Sequence, residues 1–290
     1  MKSFSTYALK HPRWTSLLLV VFFCLIMLIP DAKLSFLLSG GSEYTRQAQY
    51  LVSFLLRLAG FLLCLLWLVK QGYAAALKFK WPGFRKGLGI IWPAFILIAI
   101  LFPFGPIFEG TYRTDVPLLI PMLLKYAGVG MIEEIFFRAA ILSILLSAWH
   151  ADKNGVYKAA LASSVLFGSA HLINLLFLLY GQDVLMATVA QIISATFVGV
   201  FFAGIYLRTK NIWLCMLIHA LADIADGLSE IAVRTAGAAT AVPAPPSIAE
   251  ALIQCAVILP FGLYGLFLLR KADWEGFKSR QQPETAVSNL

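Results

Sequence analysis

Met131-Ile132-Glu133-Glu134-Ile135-Phe136-Phe137-Arg138 places three charged side chains in the middle of a long apolar run. The surrounding stretch, 117–149, is long enough to enter a bilayer, which takes about 20 apolar residues. An ionised side chain at bilayer depth costs about 2.5–3.5 kcal/mol or more. Three such groups within six residues therefore point to a buried polar site. Two further apolar stretches hold His171 and His219, and the second also holds Asp223 and Asp226.

Composition fixes the surroundings of that run. The chain has 290 residues, 60% hydrophobic and 13% charged, with a mean hydropathy of +0.82. Soluble domains are about 25% charged, and no soluble fold hides this much apolar surface. The expected fold is all-α: a polytopic transmembrane helix bundle of about eight helices, a single integral-membrane domain over residues 1–290. The apolar segments run over 12–30, 50–69, 88–107, 117–149, 157–180, 184–207, 211–229 and 248–270. The fourth is too long for one straight span, so a tilt, a kink or a break near Gly128 and Gly130 is expected.

The start of the chain has the look of a signal peptide, with Lys2, Lys10 and Arg13 ahead of the run from Trp14 to Ile29. The residues that end the run, Pro30-Asp31-Ala32-Lys33, lack a small-x-small cleavage pattern, so it reads as a retained first helix. Most of the 23 Lys and Arg residues fall at the two termini and in loops 70–87, 150–156 and 208–210. By the positive-inside rule both termini are cytoplasmic. The basic excess is thus a topology signal, and nucleic acid is not an expected partner. Membrane lipid is, and loop 73–87, which mixes Phe79, Trp81 and Phe84 with Lys78, Lys80, Arg85 and Lys86, suits either an anionic headgroup surface or an ordinary basic loop. Abundant Lys and Arg in loops suggest a bacterial inner membrane. Cys24, Cys64, Cys215 and Cys255 all lie in apolar runs without CxxC spacing, so they read as packing residues.

Spacing then assembles a site. Four-residue spacing puts Glu134 and Arg138 on one helical face, and His219 and Asp223 on another. At 1.5 Å per residue, Glu133 lies about 24 Å from the inner end of its helix, His171 about 21 Å, Asp223 about 18 Å and His219 about 12 Å. Three helices can therefore present these groups to one cavity. A carboxylate there acts as general base toward water, and an imidazole holds the water or donates to a developing oxyanion. Arg138 keeps Glu134 ionised, which leaves Glu133 as the working base. No Ser or Cys is paired with a His, so water is the expected nucleophile. Glu133, His171 and His219 could also ligate zinc, although HExxH is absent and the spacing does not demand a metal. Phe167 is expected to pack behind His171, Lys125 to reach the outer interface, and Asn174 and Gln191 to bond a neighbouring helix.

Glu133-Glu134-x-x-x-Arg138, then Phe167-x-x-x-His171, then His219-x-x-x-Asp223, resembles the three motifs of the CPBP intramembrane proteases. That family includes type II CAAX prenyl endopeptidases and Abi-type proteins. The resemblance covers about residues 117–229, the expected catalytic core. It implies an intramembrane endopeptidase acting on a membrane-associated protein or peptide. It also implies that Glu133 and His171 activate the water, that His219 and Asp223 stabilise the oxyanion, and that Glu134 and Arg138 support the site. The family is often described as metalloprotease, so zinc stays open as a cofactor. Two other readings fit the residues: a proton-coupled transporter, whose relays also use buried Glu, His and Asp, and a non-catalytic, immunity-type membrane binding protein.

Overall fold

The computed structural model describes residues 10–28, 45–73, 77–110, 113–149, 152–180, 183–232, 245–270 and 272. Among them the architecture is all-helical, with one isolated β-bridge between Thr114 and Ala232. The helices are α1 (Pro12–Leu28), α2 (Arg46–Lys70), α3 (Trp81–Leu88), α4 (Trp92–Leu101), α5 (Phe104–Phe108) and α6 (Val116–Glu134). A π-helical segment, Ile135–Leu142, then leads to α7 (Ser143–Trp149). They are followed by α8 (Gly155–Ala170), a 3₁₀ stretch (His171–Tyr180), α9 (Leu185–Thr209), α10 (Ile212–Gly227), a short 3₁₀ turn (Leu228–Ile231) and α11 (Ile248–Leu269).

Five helical stretches are long and apolar enough to cross a membrane: Arg46–Lys70, Gly155–Leu176, Leu185–Thr209, Ile212–Ile231 and Ile248–Leu269. The pair α3 and α4, bent by 65°, makes a sixth if it counts as one span. α1 is apolar but only 17 residues long. Large side chains such as Leu18, Leu55, Phe95, Leu252 and Leu263 point outward. Such a surface is tolerated when lipid is the solvent, as in an integral membrane protein. The orientation expected for the termini falls largely on residues 1–9 and 273–290, outside the described residues.

The run 117–149 is interrupted, though not at the glycines. Gly128 and Gly130 lie inside unbroken α6, and regularity changes at Ile135. The glycines serve packing instead. A Cβ at Gly130 would sit 2.8 Å from the Ala220 amide nitrogen and 2.9 Å from the Met216 carbonyl oxygen. Only a residue without a side chain lets α6 and α10 approach this closely. α6 packs between α2 and α10, while α9 packs against α8 and α11. The π segment is fully buried at the centre, with Phe136 and Phe137 against Phe23 of α1. The four cysteines are free, with Cys64 and Cys215 buried in the core.

Candidate active site

The site begins at the junction of α6 and the π segment. π-helical turns are rare and often found at functional sites, because the widened turn re-aims the side chains around it. Here the junction follows Glu133 and Glu134 directly and contains Arg138. These residues are withdrawn from solvent: Glu134 is 0% exposed, Arg138 1% and Glu133 8%. Arg138 Nη1 lies 3.1 Å from Glu134 Oε1, close enough for charge compensation but outside good hydrogen-bond geometry.

α10 brings His219 and Asp223 to the same place. Its start is fixed by Asn211, whose side chain accepts a hydrogen bond from the Leu214 amide. His219 Nδ1 lies 2.8 Å from Glu134 Oε1. A carboxylate accepts, so this nitrogen carries the proton and Glu134 sets the ring's orientation. The other ring nitrogen, Nε2, then faces two carboxylates, Glu133 Oε2 at 3.5 Å and Asp223 Oδ2 at 3.7 Å. Asp223 Oδ2 is buried and has no hydrogen-bond partner among the described residues.

Five of the six residues singled out in the sequence thus meet directly. His171 joins them through Phe167. It opens the 3₁₀ stretch after α8, and its Nδ1 lies 3.2 Å from the Phe167 carbonyl oxygen. The Phe167 ring sits edge-on to both His171 (5.5 Å between centroids) and His219 (6.1 Å). Phe167 does more than pack behind His171, because the guanidinium carbon of Arg138 lies 4.3 Å from its ring centroid. A buried arginine short of hydrogen bonds is thereby stabilised by a π face.

A residue absent from the sequence reading completes the arrangement. Phe202 of α9 stacks on His219, with centroids 5.1 Å apart and planes 19° from parallel. The Arg138 guanidinium carbon also lies 5.4 Å from its centroid. Nothing in the apolar pattern of α9 distinguishes Phe202 from its neighbours. Elsewhere, Asn174 donates to Gln191 at 2.8 Å, joining neighbouring segments as expected. Lys125 pairs with Glu230 at 2.9 Å.

The donors considered for zinc, Glu133, His171 and His219, do not form a ligand set. Among the described residues no group of three or more His, Cys, Asp or Glu is arranged to hold a metal ion.

What the arrangement can do follows from these contacts. A fixed imidazole presents Nε2 beside an accessible edge of Glu133, in an apolar enclosure where charge interactions are strengthened. Glu133 is thus a base beside a ring nitrogen that becomes a donor once the imidazole carries its second proton, the pair of groups that hydrolysis by water requires.

Residues 115–225 match the family model described as type II CAAX prenyl endopeptidase Rce1-like. A Bacillus subtilis (strain 168) protein named "Putative membrane peptidase YdiL" is 28% identical over 109 residues, 37% of this chain and 36% of that protein. The aligned region therefore spans little more than a third of that relative. No solved structure matches. By motif order and by family match alike, the segment carrying all six site residues is similar to the Rce1-like type II CAAX prenyl endopeptidases.

Proposed function

We propose that the protein is an intramembrane endopeptidase that uses Glu133 to activate a water for attack on a peptide bond. The carrying observation is the His219 imidazole, held by Glu134 at one nitrogen and turned toward Glu133 and Asp223 at the other. In this reading Glu133, assisted by His171, takes the proton from water. With His219 protonated at both ring nitrogens, its Nε2–H donates to the oxyanion that forms on the carbonyl, with Asp223 adjacent. Glu134 and Arg138 hold the imidazole in place. The proton gained by Glu133 is then delivered to the departing amine, which regenerates the carboxylate.

Several finer features belong to the same proposal. The catalytic core spans 117–229 within a single domain, and the chain crosses the membrane about eight times. The short α1 and the interrupted 117–149 run would supply spans beyond the five uninterrupted ones. Both termini face the cytoplasm, in a bacterial inner membrane, supported by the distribution of Lys and Arg. The substrate is a membrane-associated protein or peptide segment that enters from the bilayer or the cytoplasm. No step of the proposal is routed through a metal.

The test is a comparison of cells expressing wild type or Glu133→Gln at equal levels, by quantitative mapping of membrane-proteome N- and C-termini. New termini in wild type alone support proteolysis and name the substrates. Identical termini with folded protein would contradict it and favour a transporter or a binding protein.

A further inference from the structure

α3 lies at the edge of the bundle, and its two faces differ sharply. Gly83 and Gly87 face inward. A Cβ at Gly83 would collide with the Thr209 carbonyl, and one at Gly87 with the Leu214 side chain. Two hydrogen bonds hold the lead-in segment: Asn211 Nδ2 donates to the Lys80 carbonyl at 3.1 Å, and Trp213 Nε1 donates to the Leu77 carbonyl at 2.8 Å. Asn211 is fully buried and also caps α10. The surface is therefore pre-formed on the α9–α10 turn.

The outward side carries aromatic rings and cations together. Phe79 and Trp81 are 52% and 58% exposed. Trp81 stacks on Phe84 at 5.6 Å, and Phe79 packs against both rings. Lys78, Arg85 and Lys86 are exposed around them. No Asp or Glu occurs between residues 71 and 108, so no acidic side chain neighbours these cations along the chain. Three residues after α3, 89–91, lead into α4, whose Phe95, Ile96 and Ile100 face outward. The aromatic and basic face thus directly precedes an apolar helix whose outward side is suited to hydrocarbon.

We propose that this face, Lys78–Lys86, is a binding surface for anionic phospholipid headgroups. Aromatic rings settle at the level of the headgroups, and clustered Lys and Arg at that level attract anionic lipid, by about fivefold per cation. The chemistry matches a lipid surface more closely than an acidic protein, because the rings lie level with the cations and lead directly into an apolar helix.

The test uses the full-length protein in phosphatidylcholine vesicles containing dibromo-phosphatidylglycerol or dibromo-phosphatidylcholine. Quenching at Trp81 is isolated by subtracting the Trp81→Phe protein. The expected result is stronger quenching by the anionic lipid, with a relative association constant of about fivefold or more. That preference falls toward one in the Lys78→Gln/Arg85→Gln/Lys86→Gln protein and, in wild type, with added salt. Equal quenching by the two lipids would overturn the proposal. So would a preference indifferent to salt, or a Trp81 that neither lipid quenches, which would place this face away from the lipid.

Discussion

His219 Nδ1 and Glu134 Oε1 lie 2.8 Å apart, although 85 positions separate the two residues in the chain. That contact joins α10 to the end of α6 and makes Glu134 a structural partner of the imidazole. Glu134 is also the counter-charge for Arg138, so one carboxylate serves two buried groups.

Removing Glu134 alone should therefore strand a buried cation. Glu134→Ala is expected to lower stability by about 3–5 kcal/mol, the cost of breaking a buried pair from one side. The double replacement Glu134→Ala/Arg138→Met should recover much of that loss while staying inactive, because His219 lacks its orienting group. Thermal unfolding in detergent, alongside proteolysis of a substrate found by terminus mapping, reads both effects.

Gly130 tests the approach of α6 to α10. A side chain there meets backbone atoms of Met216 and Ala220, which cannot rotate away. Gly130→Val is expected to cost about 1–3 kcal/mol of stability. A displacement of about 1 Å between Glu133 and His219 should reduce the rate about a hundredfold. Comparing rates per folded molecule separates the two effects.

Phe202 bears on both His219 and Arg138. Phe202→Leu keeps apolar bulk and removes the ring. An aromatic pair contributes about 0.5–1.5 kcal/mol beyond its buried area, so the rate should fall about 2- to 10-fold. Phe202→Trp should retain most of the activity. Equal activity of Leu and wild type would show that the stack is packing only.

Chelation addresses the donor set. Since Glu133, His171 and His219 do not converge as ligands, incubation with a zinc chelator should leave the proteolytic rate of the purified protein unchanged. Loss of activity that returns on adding zinc would show that these donors rearrange around a metal.

Much of this site was legible because ionisable residues are conspicuous in an apolar sequence. Glu133, Glu134, Arg138, His171, His219 and Asp223 stood out on cost alone, and four-residue spacing gave two of their faces. Spacing could not show that Glu134 would bind His219 across helices, since that contact depends on how closely Gly130 lets α6 approach α10. The π segment was hidden too. The sequence Ile135–Leu142 has no proline or glycine to mark a change of helix geometry, and the glycines upstream drew attention to a stretch where the helix is unbroken. Phe202 was invisible for a simpler reason: a phenylalanine in an apolar helix looks the same whether it faces lipid or an imidazole. The basic aromatic loop was readable as a mixture of residues, but its two-faced docking emerged only from the contacts of Gly83, Gly87 and Asn211.

The central claim is that Glu133 activates water. Its most direct measurement is single-turnover cleavage of an identified substrate by reconstituted wild type and Glu133→Gln, two side chains of nearly equal size. The account predicts a loss of about 10²–10⁴-fold in the cleavage rate, the usual contribution of a general base, with unchanged thermal stability and substrate binding. Cleavage by Glu133→Gln at the wild-type rate would contradict it.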